Sequence, residues 1–310
     1  MLCKELKDAF EYEGETANRD SLIISVSVSA EKATIDASYQ IPQIAKHLDF
    51  INVLTFDFHG PWESVTGHHS PLYKGSQDTG NKTYSNTVST GIHMYAAKKV
   101  ILRDAFSLYF VILIHILGLC YAVLAGPGST STKAKLGTCL YLDGVTTEMI
   151  PDQKAPYATT ENQWVGFDNK KALTLSYLKT NNFGGAFLWS LDLDDMNGQF
   201  CKMGNNPFLS HLHNLLTFTD VLHVSASSNL VCYYTSWSKH RAKEGKFSLS
   251  DVDPNLCTHL IYAFSGINDA NELASSERDY AQSYSNTKKM NSTLQCKTQF
   301  VPLLPQKSLY

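Results

Sequence analysis

Residues 47–60 read HLDFINVLTFDFHG and residues 182–195 read NFGGAFLWSLDLDD. Each reads as a buried strand that ends in polar residues, and the second carries Trp189 and the carboxylates of Asp192, Asp194 and Asp195 at its C-terminal end. The pattern recurs: SLIISVSVSA over 21–30 alternates apolar with small polar residues, and LVCYYTSW over 230–237 and CTHLIYAF over 257–264 are further apolar runs. Strands separated by helical stretches, with aromatics and acids at their C-terminal ends, point to parallel βα units. In a barrel built of such units, that is the end where active sites lie.

The chain's 310 residues suit one barrel-sized domain or two smaller ones. A formal net charge of -3 gives no electrostatic reason for a nucleic-acid partner, and no phosphate-binding glycine loop suggests one. Cys3, Cys120, Cys139, Cys201, Cys232, Cys257 and Cys296 form no cluster of zinc spacing, so no metal site is expected. Asn81 and Asn291 head two sequons that would be glycosylated on entry to a secretory pathway. Leu2, Leu6 and Phe10 repeat at helical spacing among charged residues, which predicts an amphipathic helix and no signal peptide, as though the chain begins inside a domain.

One run breaks the rhythm. Residues 106–125, FSLYFVILIHILGLCYAVLA, contain no Asp, Glu, Lys or Arg and reach the roughly 18–20 residues that span a bilayer as a helix. A membrane span, a translated non-coding stretch and a buried core segment are the three readings open at this point. No Lys/Arg asymmetry flanks the run to favour the first. The tail TQFVPLLPQKSLY, with two prolines, reads as a frayed end.

The strand LDFINVLTFDFHG, followed by Pro61-Trp62-Glu63 and the loop GHHSPLYKG over 67–75, resembles family 18 glycoside hydrolases of the vertebrate chitinase and chitinase-like group. So do QWVGFDNKKALTLSYLKTNNFGGAFLWSLDLDDMNGQFC over 163–201 and NLVCYYTSWSKHRAKEGKFSLSDVDPNLCTHLIYAFSGIN over 229–268. The resemblance implies an α/β fold, a partial TIM (β/α)8 barrel with a remnant of an α+β insertion domain. It also implies an altered order: the family's fifth and sixth strands first, then a damaged seventh, the eighth, and only afterwards the first and second, with the third and fourth missing. Residues 1–218 would be the C-terminal part of one barrel, with an aberrant hydrophobic insert at 104–125. Residues 219–228 would be a linker, 229–297 the N-terminal part of a second barrel, and 298–310 the tail. A window across a tandem duplication and a circular permutation both fit that order.

By resemblance the chemistry is substrate-assisted hydrolysis of chitin, in which a glutamic acid in a D-x-x-D-x-D-x-E motif protonates the leaving oxygen and needs no cofactor. The sequence has no such motif, so no catalytic residue is assigned. The acids at 192, 194 and 195 belong to the eighth-strand position and are expected to be a solvated strand end. What carries over is sugar binding: Asp57 as a sugar contact at the cleavage point, Trp189 as the indole under a sugar ring, and Trp62, Tyr234, Trp237 and Phe264 as further aromatics. Phe56 stands where catalytic members have tyrosine, losing one hydrogen bond of about 0.5–1.5 kcal/mol. The resemblance also implies the disulfides Cys232–Cys257 and Cys139–Cys201, and hence an extracellular, oxidising location. The function expected is a non-hydrolysing chitinase-like protein that binds chitin or chitooligosaccharides. The alternatives are a truncated active chitinase cleaving β-1,4-N-acetylglucosamine polymers, and a membrane-anchored or non-functional fragment.

Overall fold

The computed structural model describes residues 2–60, 63–90, 109–113, 123–125, 139, 142–160, 163–170, 184–217, 229–241, 245–267, 269–270 and 273–275. Helix α1 (Leu2–Ala17) lays Cys3, Leu6 and Phe10 on a core formed by Ile24, Val28, Ile35, Ile51 and Val53. Leu2, the first residue of the anticipated stripe, is exposed instead. Strand β1 (Ser25–Ser29), the short helices α2 (Lys32–Ser38) and α3 (Ile41–Ile44), and strand β2 (Phe50–Leu54) follow as the expected βα alternation.

Strand β3 (Tyr109–Leu113) lies inside the apolar run. It pairs in parallel with β2 on one side and with β8 (Gly185–Leu188) on the other. Residues 106–125 are therefore not one membrane-spanning helix, because their first part is a sheet strand and Val123–Ala125 is another, β4. An uninterrupted apolar run is the normal composition of a strand at the centre of a parallel sheet, which is covered on both faces. No helix among the described residues is long and apolar enough to cross a membrane.

Strands β9 (Asn229–Thr235) and β10 (His259–Ala263) complete a six-stranded parallel sheet in the order β1-β2-β3-β8-β9-β10. Blocks far apart in sequence thus share one sheet through the β8–β9 pairing. Gly185 permits that approach, since a Cβ on it would sit 2.0 Å from the Asn229 carbonyl oxygen. A separate antiparallel sheet, β4-β7-β6-β5, contains β5 (Thr147–Ile150), β6 (Ala155–Thr160) and β7 (Gln163–Gly166). The short antiparallel pair β11 (Ser265–Ile267) and β12 (Leu273–Ser275) stands apart.

Strand periodicity sorts the core into two faces. Ala186, Leu188, Leu230, Cys232, Tyr234 and Leu260 point outward against Phe208, Leu209 and Leu212 of helix α4 (Pro207–Thr217). Phe50, Phe187, Val231, Tyr233, Ile261 and Ala263 point to the other, inner face. The sheet is curled: the Tyr233 hydroxyl on β9 lies 2.6 Å from Ser27 Oγ on β1, four strands away in sheet order. Phe50 of β2 likewise meets His259 of β10 edge to face, with ring centroids 5.8 Å apart. Two disulfides, Cys139–Cys201 and Cys232–Cys257, lie at the outer core, with Cα separations of 5.1 and 6.1 Å.

Candidate functional site

At the C-terminal ends of β8, β9 and β10 four aromatic rings come together. Trp189 is the hub: its ring centroid lies 5.0 Å from Tyr233, 5.9 Å from Phe264 and 6.4 Å from Trp237, with tilted planes. Trp237 and Phe264 are themselves 5.6 Å apart. Such tilted contacts are the favourable arrangement of aromatic quadrupoles. Trp237 begins outside the core, 40% exposed, so the cluster grades from buried ring to open surface. Phe56, beyond β2, packs with Trp189 and Phe264 against the same inner core.

Tyr234 is not brought to this group. It lies one residue out of register, on the outer face, against Phe247 and Tyr262. Its neighbour Tyr233 takes the inner position, because successive strand residues alternate between faces. The Tyr233 hydroxyl, buried between Ser27 Oγ and Asn52 Nδ2 (3.1 Å), is pushed up to about 12 by burial. The period-two alternation along LVCYYTSW is the signal that separates the inward-facing tyrosine from the outward-facing one. Trp62 and Asn291 lie outside the described residues, while Asn81 sits exposed on a 3-10 turn (Gly80–Tyr84).

Asp57 follows β2 in the left-handed region (φ 56°), a conformation that aspartate tolerates better than most residues. Its side chain is exposed at the strand end, yet the protein around it raises its carboxyl to about 6. The water it retains opposes part of that rise.

The three acids after β8 are not a solvated strand end; all have structural partners. Asp194 accepts bonds from the amides of Phe208 (3.1 Å) and Leu209 (2.9 Å) at the start of α4, and burial still raises its carboxyl to about 6. Asp195 collects the amides of Gln199, Phe200 and Cys201 at 3.0, 3.0 and 2.7 Å. Asp192, with its side chain wholly buried, accepts from Ser190 and Thr235 and pairs with Arg241. Short polar side chains near a turn satisfy backbone donors that would otherwise be buried unpaired.

A second polar cluster joins the loop after β2 to the antiparallel sheet. His68 Nε2 donates to the Phe167 carbonyl at 3.0 Å while its Nδ1 accepts from the Ser70 amide, and burial lowers its pKa to about 4. His69 stacks on His68 and stands 3.9 Å from Asp168, whose carboxyl burial raises to about 8. No group of three or more metal-ligating side chains suited to an ion occurs among the described residues.

The description of glycosyl hydrolases family 18 matches residues 1–194 and 229–301. The chain belongs to that family. Human chitinase-3-like protein 2 is 38% identical over 224 residues, covering 67% of this chain and 57% of the relative. Mouse chitotriosidase-1 is 33% identical over 228 residues, covering 69% and 49%. The chain thus spans about half the length of the curated family 18 relatives it matches. Among solved structures, human YKL-39, a pseudo-chitinase with retained chitooligosaccharide binding properties, superposes with TM-score 0.59 at 33% identity, over 68% of this chain and 62% of that one. An immunomodulatory active chitinase from Trichuris suis gives TM-score 0.62 at 28% identity, over 69% and 63%. The family's fold is TIM-barrel-like; the six-stranded sheet described here is not closed.

Proposed function

We propose that this chain binds chitooligosaccharides on the aromatic platform and does not hydrolyse them. One observation carries the reading: Trp189, Trp237, Phe264 and Tyr233 are assembled at the C-terminal ends of parallel strands, while the nearby acids, Asp192, Asp194 and Asp195, are held by structural partners. Pyranose rings offer apolar C–H faces that stack on indole, so Trp189 carries one sugar and the exposed Trp237 extends the floor. Asp57 supplies a polar contact at the rim and Phe56 an apolar one. The absence of D-x-x-D-x-D-x-E from the sequence removes the general acid, itself worth about 10²- to 10⁴-fold in rate, together with the group that positions the acetamide.

In the same reading β1, β2, β3, β8, β9 and β10 stand for the family's strands five, six, seven, eight, one and two, with three and four absent and the order permuted. Segments 1–218 and 229–297 are then two parts of family barrels joined through 219–228. The pairing of β8 with β9 supports this, because it is the pairing that joins the last strand to the first in a closed barrel. The two disulfides support an extracellular location.

The test is release of a fluorophore from a chitobiose or chitotriose glycoside, set beside calorimetric titration with chitotetraose. Saturable binding with no turnover above buffer is expected; turnover that vanishes in Asp57→Ala would overturn the reading.

A further inference from the structure

Asp192 is a buried charge that sugar binding does not use directly. Its side chain is 0% exposed, and its partners come from three places: Ser190 Oγ at 2.5 Å in its own turn, Thr235 Oγ1 at 2.6 Å at the end of β9, and Arg241 Nη2 at 2.5 Å. Arg241 Nη1 also donates to the Asp192 carbonyl at 3.1 Å, so the guanidinium grips both backbone and side chain. Each partner borders an aromatic of the platform. Asp192 lies in the 3-10 turn Leu191–Leu193, directly after Trp189 and Ser190. Thr235 precedes, and Arg241 terminates, the 3-10 turn Ser236–His240 that carries Trp237.

We propose that Asp192 is the positioning residue of the platform, fixing the Trp189 turn against the Trp237 turn so that the two indoles stay 6.4 Å apart as one surface. The hydroxyls of Ser190 and Thr235 bond one carboxylate oxygen, the other is held by the ion pair to Arg241 Nη2, and the Nη1 bond to the Asp192 carbonyl fixes the direction of the planar guanidinium as well as its distance. Trp237 is 40% exposed and its ring touches Trp189 and Phe264. The clamp therefore pre-organises the surface that sugar would meet. The inference rests on the sugar-binding reading for its purpose, though not for its geometry.

The experiment uses the full chain and its Asp192→Asn variant, which keeps shape and an acceptor for Ser190 and Thr235 while removing the charge that holds Arg241. Near-ultraviolet circular dichroism reads the tryptophan geometry without ligand, with Trp237→Phe as the reference for its contribution. Asp192→Asn is expected to keep the far-ultraviolet spectrum, to move the near-ultraviolet signal towards that of Trp237→Phe, and to weaken chitotetraose binding by roughly tenfold. In the Trp237→Phe background it should change neither signal further. A native near-ultraviolet spectrum with native affinity, or a change undiminished in that background, overturns the proposal. Should Asp192→Asn fail to fold, Thr235→Val, which removes a single hydrogen bond, is judged by the same readouts. If the unaltered protein binds no chitotetraose, the sugar-binding reading falls and the ligand-free spectra alone decide the clamp.

Discussion

Asp168 and His68 lie buried at the junction of the main sheet and the antiparallel sheet, and burial moves their protonation in opposite senses. Asp168 is raised from 3.8 to about 8, so between those values the folded state holds a proton that the unfolded chain has lost, and its contribution to stability falls as pH rises. His68 is lowered from 6.5 to about 4, so over that interval the unfolded chain holds the extra proton and stability rises with pH. The two slopes oppose one another below about 6.5, and the rises at Asp57 and Asp194 end near 6. Among the described residues Asp168 alone remains from about 6.5 to 8, with a slope of about 1.4 kcal/mol per pH unit for one proton. Asp168→Asn should flatten denaturant-measured stability in that window, and an unchanged slope would refute the assignment. The same scale shows what the sequence could convey. The family resemblance named Trp189, Trp237 and Phe264, which the structure brings together, but which of Tyr233 and Tyr234 joins them depended on which face each presents, which a motif match does not state. The burial of Asp192, Asp194 and Asp195 was hidden for a related reason: their partners, Arg241, Phe208 and Cys201, are fixed by turns rather than by spacing.

Among the elements, the five strands recognised by apolar runs are all present with trimmed ends, whereas the sixth, β3, was obscured by its own hydrophobicity. A strand paired on both sides and a membrane helix share one composition, and only pairing separates them. Since β3 has neighbours on both sides, Val111→Pro removes a central ladder donor and should cost about 3 kcal/mol or more, read by urea unfolding. A loss below about 1 kcal/mol would contradict the sheet assignment. Cysteine pairing was legible only through the family resemblance, and its test is independent of sugar. Peptide mapping of the unreduced protein should recover Cys139–Cys201 and Cys232–Cys257, with Cys3 open to alkylation. Reduction should lower stability by about 2–4 kcal/mol for each bond lost, whereas alkylation of any of the four before reduction would remove the pairing.

At the scale of the molecule, the six-stranded sheet curls far enough for β9 to touch β1, yet β1 and β10 each have a ladder partner on one side only in that sheet. Unpaired parallel edges favour association, so the purified chain should aggregate on warming, and a sharp reversible transition of a monomer would argue against open edges. Against that background the platform is the part that local contacts sustain: Trp189 packs on Tyr233, and Tyr233 is bonded across the curl to Ser27 and Asn52. The central claim is that these rings bind sugar without cleaving it. Calorimetric titration of the full chain with chitotetraose, followed by mass analysis of the same sugar, addresses both halves at once. The account predicts saturable binding that Trp189→Ala weakens by at least about tenfold, with the tetrasaccharide recovered intact. A folded protein that gives no heat of binding, or a sample containing chitobiose, would contradict it.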